Sequence, residues 1–151
     1  MIGGPSTFWV LPPEIMENLQ KSFNFDYDPC PFAPNMVEFD GLADMPDDTK
    51  CAWVNPLFGR GIITKWVRWS IRQAQRGKTV VLILPLDNWV RLLLNQIFGG
   101  TLGPAGEFGE IVILGKHDWL NPETGERRPS SRPSFLFILK PVEPSAQRST
   151  P

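Results

Sequence analysis

Thr79-Val80-Val81-Leu82-Ile83-Leu84 decides the fold. This unbroken β-branched and apolar run, stopped by Pro85-Leu86-Asp87, reads as a strand covered on both faces. Such a strand needs helices above and below it, and helix signals lie on either side. Residues 62–76 place Ile63, Val67, Ile71 and Ala74 on one helical face, with Gly77 positioned to end it. Residues 89–98 read as a further helix before Gly99-Gly100. Pro12-Pro13-Glu14 opens an N-terminal helix that carries Ile15, Leu19 and Phe23 on one face and ends at Asn24. Residues 51–54, 110–114 and 134–139 are expected as strands, with short ones at 25–28 and 36–39. Residues 1–11 read as an irregular arm, 115–133 as a long polar loop, and the proline-rich tail from Pro141 as disordered. Helices alternating with apolar strands predict an α/β fold, a mostly parallel sheet flanked by helices, as a single domain over 1–140.

The 151 residues suit one domain with a real core. Hydrophobic residues make up 42% and charged residues 21%, which are globular values and argue against wholesale disorder. The 16 prolines, about twice the usual share, mark many fixed loops. Six tryptophans need a core, an interface or a ligand to cover them. The net charge of −1 provides no global attraction to nucleic acid and leaves room for a local basic face. No apolar run reaches the roughly 18–20 residues of a membrane span, and no secretory signal is evident. Cys30 and Cys51 are too few for a disulfide scaffold or a zinc site, so an intracellular protein with free thiols and no metal is expected. The lone His117 excludes a two-histidine metal site.

Ligands of open α/β sheets bind beyond the carboxyl ends of the strands. Three such ends carry distinctive polar residues: Asp28-Pro29-Cys30, Asp40-Gly41-Leu42 and Asn55-Pro56-Leu57-Phe58. In the last, the Asn55 carboxamide oxygen and the Pro56 carbonyl can both accept from one amino group while the Phe58 ring stacks on a planar base. That arrangement aims an exocyclic amine at an electrophilic methyl group, and positioning does most of the catalysis. No strong general base is required, which suits a chain with a single histidine. The bland reading is a strand-ending turn, where asparagine and proline are common. Lys65, Arg68, Arg72 and Arg76 form a basic stripe on the helix after this loop. They suit phosphate contact or a solvated face equally well. Arg127, Arg128 and Arg132 are either a DNA clamp or solubility charges. Trp53, Trp66 and Trp69 read as packing residues, His117 as a surface loop residue, and the cysteines as small buried hydrophobes.

In order, the chain presents Trp9-Val10-Leu11-Pro12, Asp28-Pro29-Cys30, Asp40-Gly41-Leu42, Asn55-Pro56-Leu57-Phe58-Gly59, Lys65-Trp66-Val67, Leu82-Ile83-Leu84-Pro85 and Arg132-Pro133-Ser134. This series, over about residues 8–140, resembles the phage DNA N-6-adenine-methyltransferases, the Dam-like group. The resemblance implies a Rossmann-like (class I methyltransferase) domain, S-adenosylmethionine as methyl donor and the 6-amino group of adenine in DNA as acceptor. It places Asn55, Pro56 and Phe58 on the catalytic motif. Trp9, Pro12, Asp28, Pro29, Asp40 and Leu42 fall on cofactor motifs, with Asp28 toward the methionine end of the donor and Asp40 toward its adenine. DNA contacts are expected from Arg60, Lys65, Arg68, Arg72, Arg127, Arg128 and Arg132. Leu57 stands where the family has proline, and Leu11 where it has threonine. The implied setting is the cytoplasm of a bacterial or phage-infected host, with weak sequence specificity or a protein partner that supplies it. Two other readings stay open: a catalytically silent nucleic-acid- or protein-binding module on the same fold, and methylation of another exocyclic amine, of cytosine or an RNA base.

Overall fold

The strand at the centre of the sequence argument is also at the centre of the sheet. The structure, a computed structural model, describes residues 9–30, 43–56, 60–98 and 109–141. Its elements run α1 (Pro13–Phe23), β1 (Cys51–Val54), α2 (Arg60–Gln75), β2 (Thr79–Pro85), α3 (Asn88–Phe98), β3 (Gly109–Gly115), β4 (Asp118–Leu120), β5 (Arg127–Pro129) and β6 (Ser134–Leu139). Four strands form one sheet in the order β1-β2-β6-β3, and β4 and β5 form a separate hairpin. Tyr27 adds one parallel bridge to Ala52 beyond β1. The result is a mixed α/β fold.

The expected mostly parallel sheet does not form. Only β1 and β2 pair in parallel, whereas β6 pairs antiparallel with both β2 and β3. β1, β2 and β3 therefore point one way, and β6 is inserted against them between β2 and β3. The cause lies in the connection before β6. Residues 115–133 are not a long polar loop; they fold into the β4–β5 hairpin, which turns the chain back at the edge where β3 ends. An apolar run such as 134–139 shows burial on both faces but not direction.

Burial on both faces explains the apolar runs. β1, β6 and nearly all of β2 are buried. One face, carrying Ala52, Val54, Val80, Leu82, Leu84, Phe135, Phe137 and Leu139, packs against Ile63, Val67 and Trp69 of α2 and Val90 and Leu93 of α3. The other, carrying Trp53, Val81, Ile83, Leu136 and Ile138, packs against Leu11 and the apolar stripe Ile15, Met16, Leu19 and Phe23 of α1. Trp53, Trp66 and Trp69 are core residues, in line with their reading as packing residues.

Helix ends follow local chemistry. Asn24 adopts a left-handed conformation (φ 55°) and its N–H returns to the Gln20 carbonyl, closing α1. Gly77 (φ 92°) ends α2, with Lys78 N–H donating to the Gln73 carbonyl. The expected strand at 25–28 is reduced to the Tyr27 bridge, because the Asp26 carboxylate instead accepts the Lys50 and Cys51 N–H groups at 2.9–3.0 Å. The N-terminal segment is docked: Val10 bridges Leu120 in β4, and Leu11 is buried. The expected strand at 36–39 and the tail from 142 lie outside the described residues.

Candidate functional site

Strand direction gathers one edge of the sheet. The carboxyl ends of β1, β2 and β3 and the amino end of β6 all lie there, since Pro85 and Gly115 both pair with Ser134. The β4–β5 hairpin rises from this edge, and the Val10–Leu120 bridge brings Trp9 to it.

Asn55 and Pro56, just past β1, are buried, Asn55 at 6% exposure. The Asn55 Nδ2 donates to the Trp9 carbonyl at 3.0 Å. Its Oδ1 accepts no hydrogen bond among the described residues. No fully buried side-chain polar atom lacks a partner there, so this oxygen remains open to solvent or ligand. The Asn55 backbone N–H meets the sulfur of Cys30. Three sequence segments, at Trp9, Asp28-Pro29-Cys30 and Asn55-Pro56, therefore converge.

Asp28 retains solvent contact, and its Oδ1 accepts the Cys30 N–H at 2.9 Å. Desolvation by the surrounding walls pushes its carboxyl above the usual aspartate range, and the Cys30 N–H opposes this. Desolvation and the neighbouring Asp28 charge push the Cys30 thiol up to about 12. Burial and the nearby Asp26 charge push the Cys51 thiol up to about 11. Both thiols stay protonated at neutral pH and are poor nucleophiles. Pro29 is buried behind Asp28. Pro12 is buried, and its carbonyl accepts the Ile15 and Met16 N–H groups, so its structural work is to start α1.

Beside this cluster lies a cavity of about 530 Å³ lined by Trp9, Trp89, Trp119, Arg128, Arg132, Asp87 and Ser134, with Pro85 and residues 129–131. The Arg128 guanidinium sits over the Trp9 ring at 5.0 Å and bonds Glu126 at 3.0 Å. Arg132 pairs with Asp87. Flat aromatic walls with adjacent guanidinium groups suit a planar, anionic ligand such as a nucleotide.

The expected basic residues separate. Arg128 and Arg132 line the cavity. Arg127 turns to α1 and forms a two-bonded pair with Glu14 at 2.8 and 3.1 Å, which lowers the Glu14 pKa and raises that of Arg127. Arg72 bonds Asp44 at 2.8 Å, and Arg76 also pairs with Asp44 and Asp47. Because α2 starts past β1 and runs away from the site, Arg72 lies about 18 Å along the axis from Arg60. Lys65 and Arg68 are exposed and have no ion-pair partner among the described residues. The structure describes Arg60 as the first residue of α2. Asp40, Leu42, Leu57 and Phe58 lie outside the described residues.

The segment after Asp40-Gly41-Leu42 is held to α2. Buried Gln73 accepts the Met45 N–H and donates to Asp44, and the Trp69 Nε1–H donates to the Ala43 carbonyl. The bonds from Gln73 and Arg72 lower the Asp44 pKa. Lys78 donates to the carbonyls of Pro46, Asp47 and Thr49.

The sequence does not single out Trp89, Trp119 and Asp87 as site residues. Ser134 stands there only in the Arg132-Pro133-Ser134 motif, and His117, read as a surface loop residue, is instead bonded to Ser134 at the cavity. The signal for Asp87 was present, since Pro85-Leu86-Asp87 also ends a strand. Trp119 and His117 join the site only through the hairpin. No helix among the described residues is long and apolar enough to cross a membrane. No family model, curated protein or solved structure matches the chain significantly.

Proposed function

We propose that the chain is an S-adenosylmethionine-dependent DNA methyltransferase acting on the 6-amino group of adenine, on a Rossmann-like scaffold. One observation carries this reading. Trp9, Asp28 and Asn55, which the motif series places on donor and acceptor machinery, meet at one strand edge beside an aromatic, arginine-bearing cavity.

The residues fit the donor's chemistry. Asp28 offers a solvent-facing carboxylate for an ammonium group, and a donor without phosphate needs no glycine-rich cradle. When bound, S-adenosylmethionine supplies an electrophilic methyl group. Asn55 Oδ1 and the Pro56 carbonyl accept the two amine N–H bonds and orient the nitrogen lone pair. Trp9 fixes the Asn55 amide through Nδ2, so Oδ1 and not Nδ2 is presented to the amine. The alkylated amine is acidic enough to release its proton to water, so no strong base is required. An adenine extruded from an opened duplex is held at the Asn55-Pro56 loop, and Arg60, Lys65 and Arg68 with Arg128 and Arg132 supply phosphate contacts.

The same cavity also supports a binding module without catalysis, with Leu57 in the motif's third position as its basis. Calorimetric titration with S-adenosylmethionine, alongside Asp40→Ala, separates the two readings. Saturable binding lost in Asp40→Ala, with methyl transfer to DNA lost in Asn55→Ala, is the expected result. Mass analysis of digested product distinguishes adenine from cytosine and RNA targets. DNA binding without donor binding would leave the module.

A further inference from the structure

Ser134 is one of the polar residues lining the tryptophan cavity, with Asp87, Ser130, Ser131 and the two arginines, and its hydroxyl alone is bonded to a histidine ring. Ser134 lines the cavity at 2% exposure, at the amino end of β6. Its Oγ lies 3.0 Å from His117 Nε2, and His117 Nδ1 lies 2.8 Å from the Asp118 carbonyl. A carbonyl only accepts, so in the neutral ring the single proton sits on Nδ1. Nε2 is then a bare lone pair, and Ser134 must donate its proton to it. What remains on Oγ is acceptor capacity alone. The His117 ring is held in this attitude by an edge contact with Trp119 at 4.8 Å and by the reciprocal bonds between residues 117 and 130.

We propose that this cavity is a second nucleobase subsite, distinct from the Asn55–Pro56 loop, in which Ser134 Oγ selects a base presenting an exocyclic amino group. His117 acts as a positioning residue that keeps the hydroxyl an acceptor. The base lies among Trp9, Trp89 and Trp119, and Arg128 takes the adjoining phosphate. Asn55 is not among the residues lining the cavity, which separates the two sites. The inference rests on the methyltransferase reading only in taking the ligand to be a nucleotide unit of DNA.

The test compares two nucleotides that differ in one amino group, adenosine 5′-monophosphate and purine riboside 5′-monophosphate, by quenching of tryptophan fluorescence. The wild-type chain should bind the amino-bearing ligand about tenfold more tightly, the worth of one hydrogen bond to a desolvated partner. Ser134→Ala should bring the ratio to about one, and His117→Leu, which frees the hydroxyl to rotate, should reduce it about threefold. His117→Gln, which restores an acceptor, should recover part of it. Near-ultraviolet circular dichroism checks that each variant folds, and if Ser134→Ala does not, His117→Leu decides. Equal affinities in the wild type, no saturable quenching, or a ratio unmoved in the folded variants overturns the proposal. So does a ratio erased by Asp40→Ala, which would place the base in the donor site. Absence of methyl transfer with the ratio intact would remove the catalytic reading and leave the subsite standing.

Discussion

Asn55 donates its side-chain amide to the Trp9 carbonyl across 3.0 Å, joining residues 46 apart in the chain. This bond ties the loop after β1 to the segment that walls the cavity. It also fixes which end of the carboxamide faces outward. Asn55→Asp sets an acceptor against the Trp9 carbonyl and should cost about 1–3 kcal/mol in urea denaturation. Asn55→Ala should retain the fold and lose methyl transfer by about 100-fold or more, the scale for removing an orienting polar group. Full activity in Asn55→Ala would refute the assigned role.

Arginines of equal formal charge should not contribute equally to DNA binding. Arg128→Ala should weaken binding about three- to tenfold and reduce the salt dependence by about one counterion. Arg127→Ala and Arg72→Ala should stay within about twofold, because Arg127 reaches α1 and does not line the cavity as Arg128 does, and Arg72 sits on the distal part of α2. Fluorescence anisotropy at several salt concentrations reads all three.

Gln73 joins α2 to the segment that follows Asp40-Gly41-Leu42. Its Oε1 accepts from Met45 N–H at 3.1 Å and Arg76 at 2.7 Å, while its Nε2 donates to Asp44 at 2.8 Å. Gln73→Leu leaves the buried Met45 N–H unpaired and should destabilise the fold by about 1–3 kcal/mol. The Asp44 pKa, held down first by Gln73 and then by Arg72, should move back toward its ordinary value in an NMR titration. Donor affinity should fall with it, since the clamp lies next to the donor motif.

Asp28 gives a pH signature of known sign. Desolvation raises its folded pKa, so the native state keeps this proton to higher pH than the unfolded chain. Its stabilising contribution is full below the ordinary aspartate range and is lost as pH rises through the folded pKa. Asp28→Asn keeps an oxygen for the Cys30 N–H and removes the charge. Its Tm should exceed wild type by about 1–2 °C at neutral pH, a small gain because Asp28 is partly solvated. The gain should vanish below about pH 4. Donor affinity should fall in the same variant.

Much of the local structure was legible. The turns of α1, α2 and α3 follow from apolar spacing and from Asn24 and Gly77, whose backbone requirements are local. β1, β2 and β6 follow from their unbroken apolar runs. The β4–β5 hairpin did not show, because Trp119, Arg127 and Arg128 lie among charged residues with no alternating pattern. Its strands are held by pairing with each other and, through Leu120, with Val10.

By itself the sequence determined which segments are buried and where polar residues meet strand ends, since burial and turn chemistry depend on neighbouring residues. The tertiary structure alone decided the antiparallel insertion of β6, because an apolar run packs equally well in either direction. It also decided which charges meet. Arg127 and Arg128 are consecutive, yet successive side chains of a strand point to opposite faces. One reaches Glu14 on α1 and the other lies over Trp9. The His117–Ser134 pair is likewise a product of the fold, since only the return of β6 to the edge where β3 ends sets that hydroxyl against that ring.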